Sequence, residues 1–164
     1  MVWKPEVTVA AVIERSGRFL LVEERIRGRL VFNQPAGHLE DGESLLEAVS
    51  RETLEETAWH FIPEWLLGVY LWRGPRGHST LRFAFIGAAQ GFDALRRLDA
   101  PVVATHWYTR QQVQRRASRL RTPLVMRCID DYLSGRRLPL AALTSVDGAP
   151  AARATQPPLT AALP

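Results

Sequence analysis

The residues best suited to chemistry lie between Gly37 and Glu56. They form the pattern Gly-x5-Glu-x7-Arg-Glu-x2-Glu-Glu, whose fixed positions are Gly37, Glu43, Arg51, Glu52, Glu55 and Glu56. The carboxylates at 52, 55 and 56 share one face of a helix, because positions i, i+3 and i+4 are neighbours on its surface. Like charges placed in this way repel each other, and clustered oxygen ligands suit Mg²⁺ or Mn²⁺. The pattern therefore predicts a divalent-metal site on one helix face.

A loop and a capped helix must hold these acids in place. Pro35 and Gly37 interrupt regular structure. Ser44 and Glu47 form a capping box, which predicts a helix that begins beside Ser44 and continues to about Ala58. A mostly apolar stripe predicts that one side of this helix packs on a sheet, with the three acids largely off that side. The stripe consists of Leu46, Val49, Ser50, Thr53 and Leu54.

Arg51 is the one cation at a fixed position of the pattern. It stands four residues before Glu55, so an ion pair between them would orient that carboxylate, as metal sites commonly require. The alternative is the solvated face of an ordinary acidic helix. Gly37 and Glu43, both in register with the acids, favour the metal site.

This pattern resembles the signature of the Nudix hydrolases, which cleave a nucleoside diphosphate linked to a further group. The resemblance implies a metal-dependent hydrolase in which Glu52 and Glu56 are the main ligands. Glu55 is either a third ligand or the base that takes a proton from water. The resemblance further implies that the backbone carbonyl of Ala36 completes the metal site, and that Gly37, Glu43 and Arg51 support the ligands. The expected catalytic group is Arg51, Glu52, Glu55 and Glu56.

The chain departs from the family pattern after the Arg-Glu pair. Thr53, Ala58 and Trp59 replace two aliphatic residues and a glycine. Thr53 lies on the packing stripe, so its hydroxyl group needs a hydrogen-bond partner. Ala58 replaces a helix-ending glycine, so the helix is expected to run on a little further.

Segments outside the pattern resemble a group of bacterial phosphatases within the family. Residues 33–38 (NQPAGH), 81–83 (LRF) and 121–125 (RTPLV) carry much of this resemblance, which extends from about residue 3 to about residue 140. It implies hydrolysis of nucleoside tri- and diphosphates with release of orthophosphate, and of the pyrophosphate of a thiamine pyrimidine precursor. Pyrophosphate release, or cleavage of another nucleoside-diphosphate derivative, is the alternative because loops outside the pattern choose the substrate.

Four basic residues are candidate substrate contacts. Arg25 and Arg27 lie in or near the loop before the pattern, where the alternative is a solvated surface. His38 follows Gly37. Arg82 is a lone charge between Leu81 and Phe83, so its side chain should point to the opposite face of a strand from theirs.

The resemblance also implies a further acid in a later loop, just before a strand. Pro101 occupies about that position. Asp99 is the nearest candidate, with Asp93 behind it.

The order of elements predicts an α/β fold, and the resemblance implies a Nudix-type α/β/α sandwich. Six strands and two further helices are expected, and their alternation predicts a mixed β-sheet flanked by helices. The strands are 7–13, 19–24, 30–32, 65–72, 80–87 and 102–108, and the first two should form a hairpin. The helices begin at Thr109 and at Pro123, and they continue to about Arg119 and Ser134.

The whole chain has 164 residues and suits one domain, residues 1–140. Residues 141–164 are rich in Ala, Pro and Thr and are expected to be a disordered tail. No apolar run approaches the roughly 20 residues of a membrane span. Pro5 and Glu6 stand where an export signal would be apolar, and Cys128 is the only cysteine, so a cytoplasmic location is expected. A monomer is favoured, with other oligomeric states left open.

Charge points to an anionic partner. The net charge is +4, and eight Arg lie from Arg110 to Arg137 against Asp130 and Asp131. Such a surface attracts polyphosphates and could also bind RNA. No RNA-binding motif accompanies it, so a nucleotide is favoured over nucleic acid. A silent nucleotide sensor is a further alternative, but a sensor would not need the crowded carboxylates.

Overall fold

The computed structural model describes residues 3–146 of the chain. Eight strands and three α-helices account for most of it. The strands are β1 (Glu6–Val12), β2 (Glu14–Arg15), β3 (Arg18–Ile26), β4 (Arg29–Asn33), β5 (Ala36–His38), β6 (His60–Arg73), β7 (Ser79–Gln90) and β8 (Val102–Thr109). The helices are α1 (Leu45–Thr57), α2 (Arg110–Gln114) and α3 (Leu124–Leu133).

The strands divide between two sheets. The first is mixed, in the order β5-β1-β7-β6, with β1 and β7 parallel and the other pairs antiparallel. The second is antiparallel, with β3 paired to β2, β4 and β8. The predicted α/β class with a mixed sheet is confirmed, and the second sheet adds to it.

Helices cover both faces of the mixed sheet because β1 is apolar on both sides. Val9 and Ala11 join a core cluster with Val49 of α1, whereas Val12 joins another with Ile129 of α3. A strand buried on both faces is an apolar run rather than an alternating one. The result is a helix–sheet–helix sandwich.

Helix α1 begins beside Ser44 and ends at Thr57, close to the predicted limits. Ser44 and Glu47 form both hydrogen bonds of the capping box. Thr53 is buried, and its hydroxyl donates to the Val49 carbonyl at 2.7 Å, which supplies the partner it needs. The expected extension beyond Ala58 is wrong. Ala58 takes the left-handed conformation (φ 59°) that ends a helix, because β6 begins two residues later.

Other elements differ from the sequence prediction in pairing or extent. Residues Ala36–His38, expected to belong to a loop, form β5 because they pair with β1. The first hairpin joins β2 to β3, since β1 leaves to pair with β7. The helix after Thr109 is capped by that residue as predicted, but it stops at Gln114, because Val113 is its only buried residue. Strand β6 starts at His60 and accommodates Pro63, since it is an edge strand whose register shifts after that residue.

Ordered contacts extend into the segment predicted as a tail. Residues Leu140–Ala142 form a 3₁₀ turn, and Leu140 and Leu143 pack against the core cluster on the α1 side. The remainder of the predicted tail, residues 147–164, lies outside the described residues.

Within the described part of the chain, no helix combines the length and the apolar character needed to cross a membrane.

Candidate active site

A cleft of about 660 Å³ lies at the meeting point of the two sheets and α1. The mixed sheet contributes one wall, with β1, β7 and β5 side by side. Strands β3 and β4 contribute another, and the segments before β8 and α3 complete the lining. Its volume is that of a typical small-ligand site.

Two acids of α1 reach the cleft where the helix touches β5. The Glu56 carboxylate accepts a hydrogen bond from the Ala36 amide at 2.8 Å. Glu52 lies against Gly37 so closely that a methyl group built there would overlap its carboxylate, and only glycine leaves this room. Glu56 is only 8% exposed, so it lies at the border of the packing face instead of off it.

Arg51 holds the other acids of the pattern together. Its guanidinium donates two hydrogen bonds to Glu43, at 2.7 and 3.0 Å. One nitrogen, Nη1, lies 2.9 Å from Glu52 Oε1 and 3.2 Å from Glu55 Oε2. A further bond reaches the His38 carbonyl at 3.1 Å. The predicted pairing of Arg51 with Glu55 is confirmed, as one part of a wider cluster.

Burial sets the protonation of these carboxylates. It raises the pKa of Glu56 to about 8, helped by the nearby charges of Glu24 and Glu52 and opposed by the Ala36 amide. It also raises the pKa of Glu52, against the hydrogen bond from Arg51. The hydrogen bond from Arg51 lowers the pKa of Glu43. The acids of the site therefore lie close together, and a bound cation would stabilise their ionised forms.

The donor chemistry of the site fits a hard divalent cation. Glu52, Glu55 and Glu56 offer carboxylate oxygens, the ligands that such cations prefer. In residues 3–146 no three acidic or histidine side chains already converge in the spacing of a metal centre. Arg51 Nη1 instead binds the oxygens of Glu52 and Glu55, and the Ala36 amide binds that of Glu56.

The predicted substrate contacts separate into two groups. Arg27, His38 and Arg82 line the cleft. Arg25 is exposed, and within the described residues it is not part of the cleft wall. Its backbone amide donates to the Pro101 carbonyl at 3.0 Å, which joins β3 to the segment before β8.

Asp99 and Asp93, the predicted additional acids, are not among the described residues that line the cleft. Asp99 is exposed, and its amide donates to the Glu55 carbonyl at 3.0 Å. Asp93 is also exposed, and its amide donates to the Ala58 carbonyl. Both segments are therefore tied to the C-terminal end of α1 by their backbones.

A different acid, missed in the sequence, lies inside the cleft. Glu24 of β3 is only 4% exposed, and its Oε1 accepts from Arg121 Nη1 at 3.0 Å. Asn33 of β4 lies beside it on the same wall. The sequence did contain one indication of its burial. Alternate side chains of a strand lie on the same face, so Glu24 shares a face of β3 with the buried residues Leu20 and Val22.

Comparison with known proteins agrees with this geometry. The model of the NUDIX domain matches residues 3–127. Phosphatase NudJ of Shigella boydii serotype 4 (strain Sb227) and that of Escherichia coli (strain K12) are each 40% identical over 138 residues, which cover 84% of this chain and 90% of the relative. The structure of a NUDIX hydrolase from Nitrosomonas europaea matches with a TM-score of 0.86 and 49% identity, covering 89% of this chain and 100% of that one. Since the domain model covers most of the chain and these relatives are at least 40% identical over more than four fifths of it, the chain belongs to the Nudix hydrolase family and is an enzyme acting on phosphorus-containing acid anhydrides.

Proposed function

We propose that this enzyme hydrolyses the phosphate anhydrides of nucleoside tri- and diphosphates, releases orthophosphate and uses Mg²⁺. The observation that carries the proposal is the 40% identity to phosphatase NudJ over 84% of the chain. Arg51, Glu52, Glu55 and Glu56 are all present within the matched region. The pyrophosphate of a thiamine pyrimidine precursor is the second substrate class that the resemblance suggests.

Glu52, Glu56, Glu55 and the carbonyl of Ala36 would hold the metal. A bound divalent cation offsets the negative charge of the anhydride and lowers the pKa of water, which makes a nucleophile available near neutral pH. Mg²⁺ suits an all-oxygen donor set, and Mn²⁺ can replace it there.

The surrounding residues orient these acids. Glu43 accepts two hydrogen bonds from Arg51 and so fixes the plane of its guanidinium. The same guanidinium holds Glu52 and Glu55 by one nitrogen, so that their free oxygens point away from it. Gly37 leaves the room that the Glu52 carboxylate occupies. Mutation of residues that position metal ligands in this way typically lowers metal affinity or activity by about 10- to 100-fold.

Glu55 is the proposed base, or else a third ligand. Its side chain is 27% exposed, whereas that of Glu52 is 15% exposed, so Glu55 has freer access to water. The two roles differ in one measurable respect. A base can be replaced without loss of metal affinity, and a ligand cannot.

The substrate is a small molecule rather than RNA in this proposal. Several of the basic side chains between Arg110 and Arg137 are already engaged by acids. Arg110 pairs with Asp130 at 2.7 Å and Arg119 with Glu23 at 2.7 Å, while Arg127 and Arg136 both pair with Asp131. These pairs lower the charge that would otherwise attract an RNA backbone.

Phosphorus NMR on the purified protein tests the proposal. The panel is GTP, GDP, ATP, ADP-ribose and a diadenosine polyphosphate with Mg²⁺, without any coupling phosphatase. Orthophosphate from both GTP and GDP is the expected result. Pyrophosphate with a monophosphate would retain the family and refute the phosphatase assignment. Absence of turnover with intact metal binding would favour a nucleotide sensor.

A further inference from the structure

The buried polar atoms that lack hydrogen-bond partners concentrate in the cleft. Six such side-chain atoms occur among the described residues, and five of them belong to residues of the cleft wall. These five are Thr8 Oγ1, Glu24 Oε2, Asn33 Oδ1, Arg82 Nε and Arg82 Nη1. Buried polar atoms are nearly always paired, so this concentration indicates a bound polar partner.

The four residues occupy facing walls at similar depth. Arg82 of β7 pairs in register with Thr8 of β1, and they are 5% and 7% exposed. Asn33 of β4 pairs with Val22, two residues from Glu24, so Asn33 and Glu24 share a face of the second sheet. They are 5% and 4% exposed. One wall therefore offers guanidinium donors, and the other offers carboxylate and amide acceptors.

Arg121 fixes the acceptor wall. Its Nη1 donates to Glu24 Oε1 at 3.0 Å, and Glu24 Oε2 has no partner within hydrogen-bond geometry among the described residues. Burial raises the pKa of Glu24, opposed by Arg121 and by the nearby side chain of Asn33. The arrangement also leaves Arg82 without an acid within 4.0 Å among residues 3–146, although Glu24 is near enough to influence its charge. The donor and acceptor groups are thus held apart with unused bonding capacity on each.

A phosphate group complements only half of this arrangement. Its oxygens could accept from Arg82, but they would place negative charge beside Glu24 Oε2 and Asn33 Oδ1. A planar heterocycle that carries acceptors on one part of its edge and N–H donors on another complements both walls. Guanine is such a molecule, since arginine pairs with its O6 and N7, and its N1–H and 2-amino group can donate to acidic or amide oxygens.

We propose that Arg82, Glu24 and Asn33 form a nucleobase subsite that binds the edge of guanine, with Arg121 as the residue that positions Glu24. The inference rests on the proposed function, because it presumes a nucleotide substrate. It assigns Arg82 to the base, and it leaves the phosphates to Arg27, His38 and the metal site.

Binding of three matched ligands without metal tests this subsite independently of turnover. GMP, IMP and ribose 5-phosphate share a phosphate, while IMP lacks the 2-amino group and ribose 5-phosphate lacks the base. Titrations followed by ¹H–¹⁵N NMR measure even weak dissociation constants. We expect GMP to bind at least about tenfold more tightly than ribose 5-phosphate and severalfold more tightly than IMP. Equal affinity for GMP and ribose 5-phosphate would overturn the proposal, whatever any variant does.

Variants then locate the contact. Glu24→Gln should weaken GMP about tenfold or more, reduce the GMP-to-IMP preference, and leave ribose 5-phosphate within about twofold. Glu64→Gln is the matched control, since Glu64 is exposed on β6. Asn33→Ala provides a second variant with an uncharged change. A loss of ribose 5-phosphate binding equal to that of GMP would instead identify a phosphate site.

Different results would refute the nucleobase subsite and the proposed function. If the enzyme releases orthophosphate from GDP and UDP equally well and binds GMP no better than ribose 5-phosphate, only the subsite is refuted. If no nucleotide is hydrolysed, the proposed function is refuted, while the metal-free binding series still decides the subsite.

Discussion

Replacement of Glu56 by Gln should stabilise the metal-free protein at alkaline pH while abolishing activity. Burial raises the pKa of Glu56 from an ordinary 4.5 to about 8. Between these values the folded protein binds a proton that the unfolded chain has released, so the free energy of unfolding falls as pH rises through this range. Below 4.5 both states hold the proton, and the penalty is absent.

The size of the effect follows from the same two values. Each pH unit corresponds to about 1.4 kcal/mol, so the 3.5 units between them set a ceiling of about 5 kcal/mol. The cleft admits water, which lowers the cost of the charge, and we expect about 2–3 kcal/mol at pH 8. The Gln amide is neutral at every pH and can still accept the hydrogen bond that the Ala36 amide donates to Glu56.

Urea denaturation in EDTA at pH 5.5 and pH 8 measures the difference. The advantage of Glu56→Gln over the wild type should increase by about 2 kcal/mol between the two pH values. Glu64→Gln, an exposed replacement of the same kind, should show no such increase. If the difference in free energy of unfolding between Glu56→Gln and the wild type were the same at both pH values, Glu56 could not be a buried carboxylate with a raised pKa.

Added Mg²⁺ should reverse the order of stability. A ligand that binds only the folded state stabilises it by about 4.1 kcal/mol at one thousand times its dissociation constant, which exceeds the expected advantage of Glu56→Gln. The wild type should gain this stability, and Glu56→Gln should not. Glu56 would then destabilise the metal-free protein when it is ionised and bind the metal when Mg²⁺ is present. Metal binding would explain why an acid with an unfavourable charged form lies in the cleft.

Three further predictions concern the neighbours of Glu56. Gly37→Ala should reduce kcat/KM about 100-fold or more with little change in circular dichroism, because the added methyl group displaces the Glu52 carboxylate. Arg51→Lys should weaken Mg²⁺ binding about 10- to 100-fold, measured by calorimetry, because a single ammonium cannot reproduce the guanidinium bonds to Glu43, Glu52 and Glu55. Glu55→Gln should lower kcat at least about 100-fold while leaving Mg²⁺ affinity within about threefold if Glu55 is the base. A parallel loss of affinity would identify it as a ligand.

The acid-bearing helix was predictable because its information is local. The capping box, the packing stripe and the spacing of Glu52, Glu55 and Glu56 all depend on residues within a few helical turns. Arg51 was assigned to Glu55 for the same reason. Its stronger attachment to Glu43 is a contact between the helix and the loop before it, which the spacing alone did not indicate.

Helix ends and sheet membership were less predictable because they depend on neighbours distant in the sequence. Ala58 ends α1 in a conformation that glycine adopts at lower cost, since the chain must turn there to begin β6. The apolar run at the N-terminus predicted a hairpin with the next strand. Its pairing with β7 instead required knowledge of which strand would compete for its edge.

Glu24 shows why the cleft was harder to predict than the helix. Two adjacent acids, Glu23 and Glu24, at the end of an apolar run are usually solvated boundary residues, and nothing in their spacing suggests a ligand. The burial of Glu24 depends on the register of β3 with β4 and on Arg121, which lies 97 residues away. Asp99, chosen by its position before a strand, has the expected backbone location but an exposed side chain.

This contrast separates the reaction from its specificity. The residues proposed for metal binding come from α1 and from β5, which precedes it closely in the sequence, so a short pattern can specify them. The residues proposed to contact the base come singly from β3, β4 and β7, and each depends on strand register. On this proposal, a substitution at Glu24 or Arg82 would change which substrate is bound while leaving every acid of α1 in the chain, although the charge of Glu24 also acts on Glu56. The pattern identifies the chemistry of this enzyme, and the facing walls of the cleft are where its substrate preference must be measured.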